Sequence, residues 1–504
     1  MQPVDRHRNA PEVTFDGGDM DCGSGLLLHI RRHLDPLRRG GLLEILSTET
    51  SVDEDLPAWC RLTGNELVSF TKVGRQRSFL ICKGTLAERT ADEGGAAVRP
   101  VVRVADAVPA AVTPLPKPAA APPIAPLSVL TVGSWPRPRW MLDAVHARME
   151  GRLSEAEFEA TADDAVRLAV ASQRAGGADV LTDGEQRRDS YANFVGGRLA
   201  NCQLIPLVDL LPLVDDPEKL RREFEALDVP AGEVRHPAVF GPLRRTRPLA
   251  RHELDFLRTL TEGPVKVALP GPYLLSRILW MECLSDRAYA SREALAEDIV
   301  RVLREELFDL LAGGASLVQF DEPVLTEVVH GRAGGGACFM CGALSERGEA
   351  EPELAFARDL INRVVEGAPR DRTALHICRG NWTPDESAAL RGDYRPLLPL
   401  LQSLDVGTFL LELCTPRAGE LEVLRDLPES CRIGVGVVNQ KRPDVEPVAE
   451  IRARIERAIS LFGRDRVFIQ PDCGFATFAD NPVASAAAAQ VKIAAMVEAV
   501  GALR

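Results

Sequence analysis

The chain has 504 residues, of which 45% are hydrophobic, and its formal net charge at pH 7 is −13. This length leaves room for more than one domain, each with a large apolar core. The acidic balance disfavours nucleic acid and anionic membranes as partners, because both attract basic surfaces. No run of about 18 apolar residues occurs, and residues 1–18 have no apolar segment typical of a signal peptide. We therefore expect a cytoplasmic protein that acts on small molecules.

The chain contains 11 cysteines, an odd number. In a cytoplasmic protein, cysteines are more often metal ligands or reactive thiols than members of disulfides. Cys338 and Cys341 have the spacing Cys-x-x-Cys. A redox or metal role is open for this pair, and a coincidence in a surface loop is the simpler interpretation.

A proline-rich stretch divides the chain. Residues 100–126 consist largely of Pro, Ala and Val and include eight prolines, which prevents a helix and favours an extended spacer. The predicted organisation is an N-terminal domain at 14–92, a linker at 93–126 and a C-terminal domain at 127–504.

The C-terminal domain alternates β-branched runs with helical patterns. Eight such runs, with helices between most of them, predict an α/β fold of the (β/α)8 barrel type with insertions. A doubly wound sheet is the alternative, but Gly133-Ser134-Trp135-Pro136 after the first run is not the glycine-rich turn that binds dinucleotides. The predicted strands are 127–133, 178–182, 264–269, 315–320, 373–377, 408–412, 432–437 and 467–470.

Polar residues follow most of the predicted strands. Active sites of such barrels lie at the carboxyl ends of the strands, so these side chains are expected to converge. Residues that only packed a core would not gather at one end of the strands. The candidates are Ser134, Asp183, Glu185, Asp321, Glu322, His376, Cys378, Glu412 and Cys473.

Four of these candidates have the ligand chemistry of zinc. His376 and Cys378 are two residues apart, so they point to the same side of an extended segment. An imidazole and two thiolates suit zinc, and Glu412 can complete a tetrahedron with Cys473. Buried core cysteines beside a hydrogen-bonded histidine are the alternative interpretation. A zinc-bound thiol is deprotonated, which predicts a thiol activated for alkylation, with Glu412 as the ligand that gives way to the substrate sulfur.

The same motifs resemble those of one enzyme family, cobalamin-independent methionine synthase, over essentially all of 127–504. Its zinc motifs are similar to His-Ile-Cys-Arg-Gly-Asn at 376–381, Leu-Leu-Glu at 410–412 and Pro-Asp-Cys-Gly at 471–474. Its amino-acid-binding motifs are similar to Gly-Ser-Trp-Pro at 133–136, Asp-Gly-Glu at 183–185 with Arg188, and Phe-Asp-Glu-Pro at 320–323.

The resemblance implies a (β/α)8 barrel in which a zinc-bound thiol, that of homocysteine, accepts a methyl group. The methyl donor is expected to be methyltetrahydrofolate or a methylcorrinoid, the latter presented by a corrinoid protein. Glu185 and Asp321 would grip the ammonium group of the substrate, and Asp321 and Glu412 are the catalytic residues that we predict in the barrel. The implied zinc ligands are His376, Cys378, Glu412 and Cys473, and the implied substrate site comprises Ser134, Glu185, Arg188 and Asp321.

The chain also departs from the family pattern. It shows no second barrel of the kind that helps full-length members bind folate. Residues 438–441 read Val-Asn-Gln-Lys where the family has Asp-Ile-His, so a histidine that could assist proton transfer is missing. The wording Cys-Arg-Gly-Asn at 378–381 is closer to short, single-barrel relatives, whose methyl donors and thiol acceptors vary. The sequence therefore predicts alkyl transfer to a thiol and leaves the identities of the thiol and of the alkyl donor open.

The N-terminal domain is predicted to have a β-α-β-α-β-β order. Cys22 before the first helix and Leu-Pro-Ala-Trp-Cys-Arg-Leu-Thr-Gly at 56–64 resemble TusA/SirA-like sulfur carriers. A helix N-terminus favours thiolate, as a persulfide carrier requires. The Cys-Pro-x-Pro of that family is replaced here by Cys-Gly-Ser-Gly at 22–25, so a docking module without sulfur transfer is the alternative.

Two other functions compete with methyl transfer. In a sulfur relay, Cys22 would be the catalytic thiol and would carry a persulfide from a desulfurase to an acceptor bound in the barrel. A decarboxylase-like barrel of the wider superfamily would not need the His-x-Cys pair or the distant Cys473.

Overall fold

The computed structural model describes residues 3–21, 25–89, 114–149, 152–206, 235–281, 285, 288–331, 349–479 and 482–504. The predictions for Cys22, Cys338 and Cys341, and for residues 93–113 of the linker, lie outside the described residues. No helix within those ranges is long and apolar enough to cross a membrane.

The N-terminal unit is a four-stranded sheet covered by two helices. Its elements are β1 (Val13–Asp16), α1 (Leu26–Leu34), β2 (Leu42–Ser47), α2 (Val52–Thr63), β3 (Glu66–Val73) and β4 (Gln76–Cys82), in the predicted order. Leu26, Ile30 and Leu34 recur at helical spacing and are buried, which fixes the face of α1 that meets the sheet. The strand order is β1-β2-β4-β3, with β1 parallel to β2 and the other neighbours antiparallel.

The C-terminal unit is a mixed α/β structure with a parallel sheet. Its helices are α3 (Arg139–Met149), α4 (Glu155–Ala175), α5 (Arg251–Leu260), α6 (Pro272–Ile278), α7 (Arg292–Ala312), α8 (Val324–His330), α9 (Ala350–Val365), α10 (Leu398–Gln402), α11 (Val448–Phe462) and α12 (Ala486–Gly501). Its strands are β5 (Leu199–Pro206), β6 (Arg235–Arg245), β7 (Lys266–Pro270), β8 (Leu317–Asp321), β9 (Thr373–Ile377), β10 (Thr408–Leu411), β11 (Arg432–Val438) and β12 (Val467–Pro471).

Strands β7 to β12 form one six-stranded sheet in which every neighbouring pair is parallel. The strand order follows the chain order without the reversal that marks a doubly wound sheet. These are the last six of the eight predicted strands. The first two, 127–133 and 178–182, are present only as parallel bridges that join the two sides of the sheet: Val129–Ile469, Leu130–Val180 and Leu181–Val265.

An apolar layer lies inside this sheet. It takes buried residues from β8, β9, β10 and β12 and from the two bridged segments, and Ile124 packs in the same cluster. Ile124 belongs to the predicted linker, and Ala119 in the same stretch donates its N–H to the Leu311 carbonyl. Residues 114–126 therefore lie against the C-terminal unit. The members of the layer are Ile124, Leu130, Val180, Leu317, Ala374, Leu410 and Phe468.

The β5–β6 hairpin contacts the N-terminal unit. The Gln203 amide donates to the Arg31 carbonyl at 3.1 Å and to Asp35 Oδ2 at 3.0 Å, and Arg32 donates to Asn201 Oδ1 at 3.0 Å. Asn201 sits in a β-bulge with φ +59°, a left-handed conformation that asparagine adopts more readily than most residues. Its side-chain oxygen accepts from Arg32 on α1, so the bulge contributes to the contact between the hairpin and that helix.

We expect the variant Arg32→Ala/Gln203→Ala to release the N-terminal unit from the hairpin. It removes three hydrogen bonds, each worth about 1 kcal/mol. Small-angle scattering should show a larger radius of gyration with unchanged circular dichroism. Gln402→Ala, which breaks a bond to Asp426 inside the C-terminal unit, is the control and should leave the radius unchanged. An unchanged radius in the double variant would contradict the docking role of the hairpin.

Candidate metal centre and substrate pocket

A pocket opens at the carboxyl ends of the strands, as the sequence predicts. It encloses about 540 Å³, counted with its open mouth, which suits a small molecule. Six of the predicted site residues line it together with residues that the sequence did not single out. The predicted residues among them are Ser134, Glu185, Asp321, His376, Cys378 and Cys473, and the rest of the lining comprises Val132, Gly133, Tyr191, Pro323, Asn381, Trp382, Gly474, Thr477 and Phe478.

Three potential metal ligands meet in this pocket. One ligand atom from each of His376, Cys378 and Cys473 lies within 4.8 Å of the other two, and all three residues are buried. His376 Nε2 is 3.5 Å from Cys473 Sγ. His376 Nδ1 is 2.9 Å from the Leu410 carbonyl oxygen, which can only accept, so Nδ1 carries the hydrogen and Nε2 presents a lone pair.

The electrostatics of this cluster favour a bound cation. The pKa of Cys378 is well below its usual range, because the Cys473 thiol and His376 stabilise its thiolate. The pKa of Cys473 is well above its usual range, because of its hydrogen bond with Cys378 and because it is buried. One imidazole nitrogen and two thiols form a donor set that zinc prefers, and a divalent cation would displace the remaining proton. The residues therefore fit zinc.

Glu412, the fourth predicted ligand, is held outside this three-residue group. Its Oε1 accepts from Arg417 Nε at 2.8 Å, and its Oε2 accepts from the Arg379 backbone N–H at 2.8 Å. Arg417 is itself fixed by Glu386, whose Oε2 lies 2.7 Å from Arg417 Nη1. Both oxygens of the Glu412 carboxylate are thus engaged, and its role as a ligand stays a prediction.

Two buried carboxylates face the same pocket. Glu185 has φ +56°, and its Oε1 lies so close to Gly133 that a Cβ there would come within 2.2 Å of it. Its Oε2 has no hydrogen-bond partner among the described residues. Burial raises the pKa of Glu185 to about 7 and also raises that of Asp321. Carboxylates buried in this way require a cation, and a substrate ammonium group supplies one.

Arg188 and Glu322 support the pocket rather than line it. Arg188 donates to Glu253 Oε2 at 2.6 Å and to the Ala268 carbonyl at 2.9 Å, and its guanidinium is 3.9 Å from Glu185. Its charge is therefore committed to Glu253, whose pKa it helps to lower to about 2. Glu322 accepts the N–H groups of Tyr273 and Leu274 at the start of α6.

Residues that sequence reasoning missed complete the walls. Asn381 donates to the Gly474 carbonyl at 2.7 Å and to Thr477 Oγ1 at 2.6 Å, and it accepts from Gln440, one of the residues at 438–441 that depart from the family pattern. Gly474 lies against Ser134, since a Cβ at residue 474 would come within 2.2 Å of Ser134 Oγ and would force that hydroxyl to move. The aromatic part of the wall consists of Tyr191, Trp382 and Phe478.

Comparison with known proteins adds a direct likeness. The family model described as "Cobalamin-independent synthase, Catalytic domain" matches residues 226–339 and 389–499. The methionine synthase of Sulfolobus acidocaldarius is 25% identical over 351 residues, which are 69% of this chain and 85% of that protein. The methionine synthase of Thermococcus kodakarensis is 26% identical over 353 residues, which are 70% of this chain and 87% of that protein.

A solved structure shows the same fold. A B12-independent methionine synthase from a Shewanella species, in complex with selenomethionine, aligns with a TM-score of 0.56 and 22% identity over 76% of this chain and 98% of that one. The relatives and the family model identify this chain as an enzyme of the methyltransferase class. The family that they support is that of the cobalamin-independent methionine synthase catalytic domain.

We expect Cys473→Ser to lose the metal, because a serine hydroxyl is a poor replacement for a thiolate ligand. Metal analysis by mass spectrometry should find about one zinc per chain in the wild type and less than about a tenth of that in the variant. Glu412→Gln should retain zinc, since Arg417 and Arg379 hold that carboxylate. Cys202→Ser, in the β5–β6 hairpin, is the matched cysteine control. Zinc retained by Cys473→Ser would place the metal elsewhere.

Proposed function

We propose that the C-terminal unit methylates the thiol of an amino acid, homocysteine being the first candidate, with zinc held by His376, Cys378 and Cys473. One observation carries this proposal. A buried cluster of one nitrogen and two sulfur ligands shares a pocket with two buried carboxylates that require a cation. A homocysteine molecule supplies both a thiol for the cluster and an ammonium group for the carboxylates. The names of the relatives, methionine synthase, support the same substrate.

Each pocket residue has a defined task in this proposal. Glu185 and Asp321 bind the ammonium group, and Ser134 lies beside them in the pocket wall. Zinc, when bound, supplies the positive charge that lets a thiol lose its proton at neutral pH. The substrate S–H bond would then break, and an S–CH₃ bond would form as the bond between methyl and donor breaks. The thiol proton would pass to the departing tetrahydrofolate nitrogen or, with a methylcorrinoid donor, to solvent.

Glu412 and Arg417 would determine how many protein residues hold the metal in this proposal. A catalytic zinc needs an open position, and three protein ligands leave one. The hydrogen bonds from Arg417 and from the Arg379 N–H favour Glu412 outside the group. In this proposal the substrate sulfur takes the fourth position and Glu412 is the ligand that alternates with it.

We also infer that the sheet closes into a (β/α)8 barrel. The parallel bridges at Val129–Ile469, Leu130–Val180 and Leu181–Val265 supply the two missing strands between β12 and β7. The apolar layer with one residue from each of six strand positions supports a filled barrel interior.

The N-terminal unit is proposed to be sulfur-carrier-like. Its β-α-β-α-β-β order supports this proposal. The contact of α1 with the β5–β6 hairpin supports it too, because β5 begins eight residues after the pocket residue Tyr191 and so connects the N-terminal unit to the pocket region. Persulfide transfer by Cys22 to an acceptor in the pocket is the second candidate function.

A methyl-transfer assay tests the two candidates together. We expect zinc-loaded protein to convert homocysteine to methionine with methyltetrahydrofolate or with a methylcorrinoid protein, detected by mass spectrometry. Cys22→Ala should leave this rate unchanged, and Cys378→Ser should reduce it by more than about a hundredfold, because it removes a metal ligand. No methyl transfer from either donor, together with a persulfide on Cys22, would favour the sulfur relay instead.

The pKa of Glu185 gives a pH prediction. Burial raises this pKa to about 7, and only the ionised carboxylate attracts an ammonium ion. The affinity for L-methionine, which keeps its ammonium group and has no thiol, should therefore fall about tenfold per pH unit below 7. Calorimetry between pH 5.5 and 8 measures this. Glu185→Gln should bind weakly at every pH, and a wild-type affinity independent of pH would contradict the assignment.

A further inference from the structure

Two buried polar residues beneath the pocket have no role in the function proposed above. Lys266 is the first residue of β7 and is 1% exposed, and Gln319 is the third residue of β8 and is fully buried. Both lie in the interior of the sheet, between the apolar layer and the pocket. A buried lysine and a buried glutamine are costly there unless their hydrogen bonds serve a purpose.

The two residues form a directed chain of hydrogen bonds that ends on Asp321. Gln319 Nε2 donates to Asp321 Oδ1 at 2.6 Å. The other end of the same amide, Oε1, accepts from Lys266 Nζ, which also donates to the Val132 carbonyl at 2.5 Å. Residues 319 and 321 are two apart on a strand, so their side chains leave the same face of the sheet.

The direction of this chain is fixed by chemistry. A carboxylate oxygen can only accept, so the amide must present Nε2 to Asp321 and Oε1 to Lys266. The amide cannot flip without placing its oxygen against the carboxylate. Asp321 Oδ1 is therefore committed to Gln319, which leaves the other oxygen of this pocket carboxylate for a ligand.

The charges in the pocket explain why these hydrogen bonds from Lys266 through Gln319 to Asp321 matter for ligand binding. Glu185 and Asp321 face one pocket, and each raises the cost of ionising the other. Lys266 lies close enough to both to favour their ionised forms. Burial lowers the pKa of Lys266 to about 7, so Lys266 alone does not supply a full positive charge near neutral pH. A ligand ammonium group would give Glu185 and Asp321 a cationic partner inside the pocket, and an uncharged group would not.

We propose that Lys266 and Gln319 are positioning residues that orient Asp321 and make the pocket select ligands carrying an ammonium group. This inference rests on the proposed amino-acid site and adds to it the residues that determine its specificity. Neither residue touches the substrate; both act through Asp321.

The test compares two ligands that differ only in the ammonium group, L-methionine and 4-(methylthio)butanoate. Calorimetry on zinc-loaded full-length protein gives the ratio of their affinities. Wild type should prefer L-methionine, and Gln319→Leu or Lys266→Met should reduce the ratio about tenfold, as expected for the loss of one hydrogen bond to a charged group. Both variants should bind 4-(methylthio)butanoate as the wild type does and should keep their zinc.

Gln470→Leu is the matched control. Gln470 is a fully buried glutamine on β12 whose side-chain atoms have no hydrogen-bond partner among the described residues. Its loss should leave the affinity ratio unchanged. Equal weakening of both ligands in Gln319→Leu and Lys266→Met would overturn the inference, since it would show a purely structural role.

The outcomes separate this inference from the proposed function. A wild type that methylates homocysteine but binds both ligands equally overturns the inference and leaves the methyl transfer standing. A wild type that selects L-methionine through Gln319 and transfers no methyl group supports the inference and overturns the reaction.

Discussion

Buried charge has to be compensated, and most of the C-terminal pocket follows from that constraint. An ionised carboxylate without a partner is unstable in an apolar interior, as is a thiolate. The pocket contains Glu185, Asp321, Cys378 and Cys473, all fully buried acids in the chemical sense. In the function that we propose, a metal cation would compensate the sulfur groups and a ligand ammonium group would compensate the carboxylates. A ligand with both a thiol and an amino group would meet the two requirements.

The basic side chains nearest these acids are also engaged by other groups of the protein. Arg188 is 2.6 Å from Glu253 and 3.9 Å from Glu185, and Arg417 is shared between Glu412 and Glu386. Lys266 reaches Asp321 only through an amide. Each of these basic side chains is therefore close enough to affect the charge of the pocket, but its hydrogen bonds hold it outside the position that a ligand ammonium group would take.

Most strands of the parallel sheet and most candidate metal ligands could be predicted from the sequence, because strand patterns and ligand types can be identified from short stretches of sequence. The strands β7 to β12 and the His376, Cys378 and Cys473 cluster were predictable, since strand ends in such a sheet meet at one edge. Lys266 and Gln319 could also have been identified from the sequence, because each is a polar residue within a mostly apolar strand.

The remaining features depend on long-range folding. The engagement of Arg188 with Glu253 depends on how the insertion after the second predicted strand folds back, which no local pattern specifies. The first predicted strand is reduced to bridges, and Leu127 at its start has a left-handed backbone with φ 58°. The sequence predicts Glu412 as a ligand from its residue type and position, and only the structure shows that Arg417 and the Arg379 N–H donate to its carboxylate.

The contact between the β5–β6 hairpin and α1 also affects whether the two units can be separated into different proteins. Phe240 on β6 is 4% exposed, packs edge-on against the ring of His29 at 5.1 Å and lies beneath the guanidinium of Arg32. A gene that encoded the C-terminal unit alone would place this phenylalanine, in the middle of β6, in water. Such a truncated protein would be prone to self-association, so solubility in the cell favours retaining the fusion even where the N-terminal unit has no chemical task.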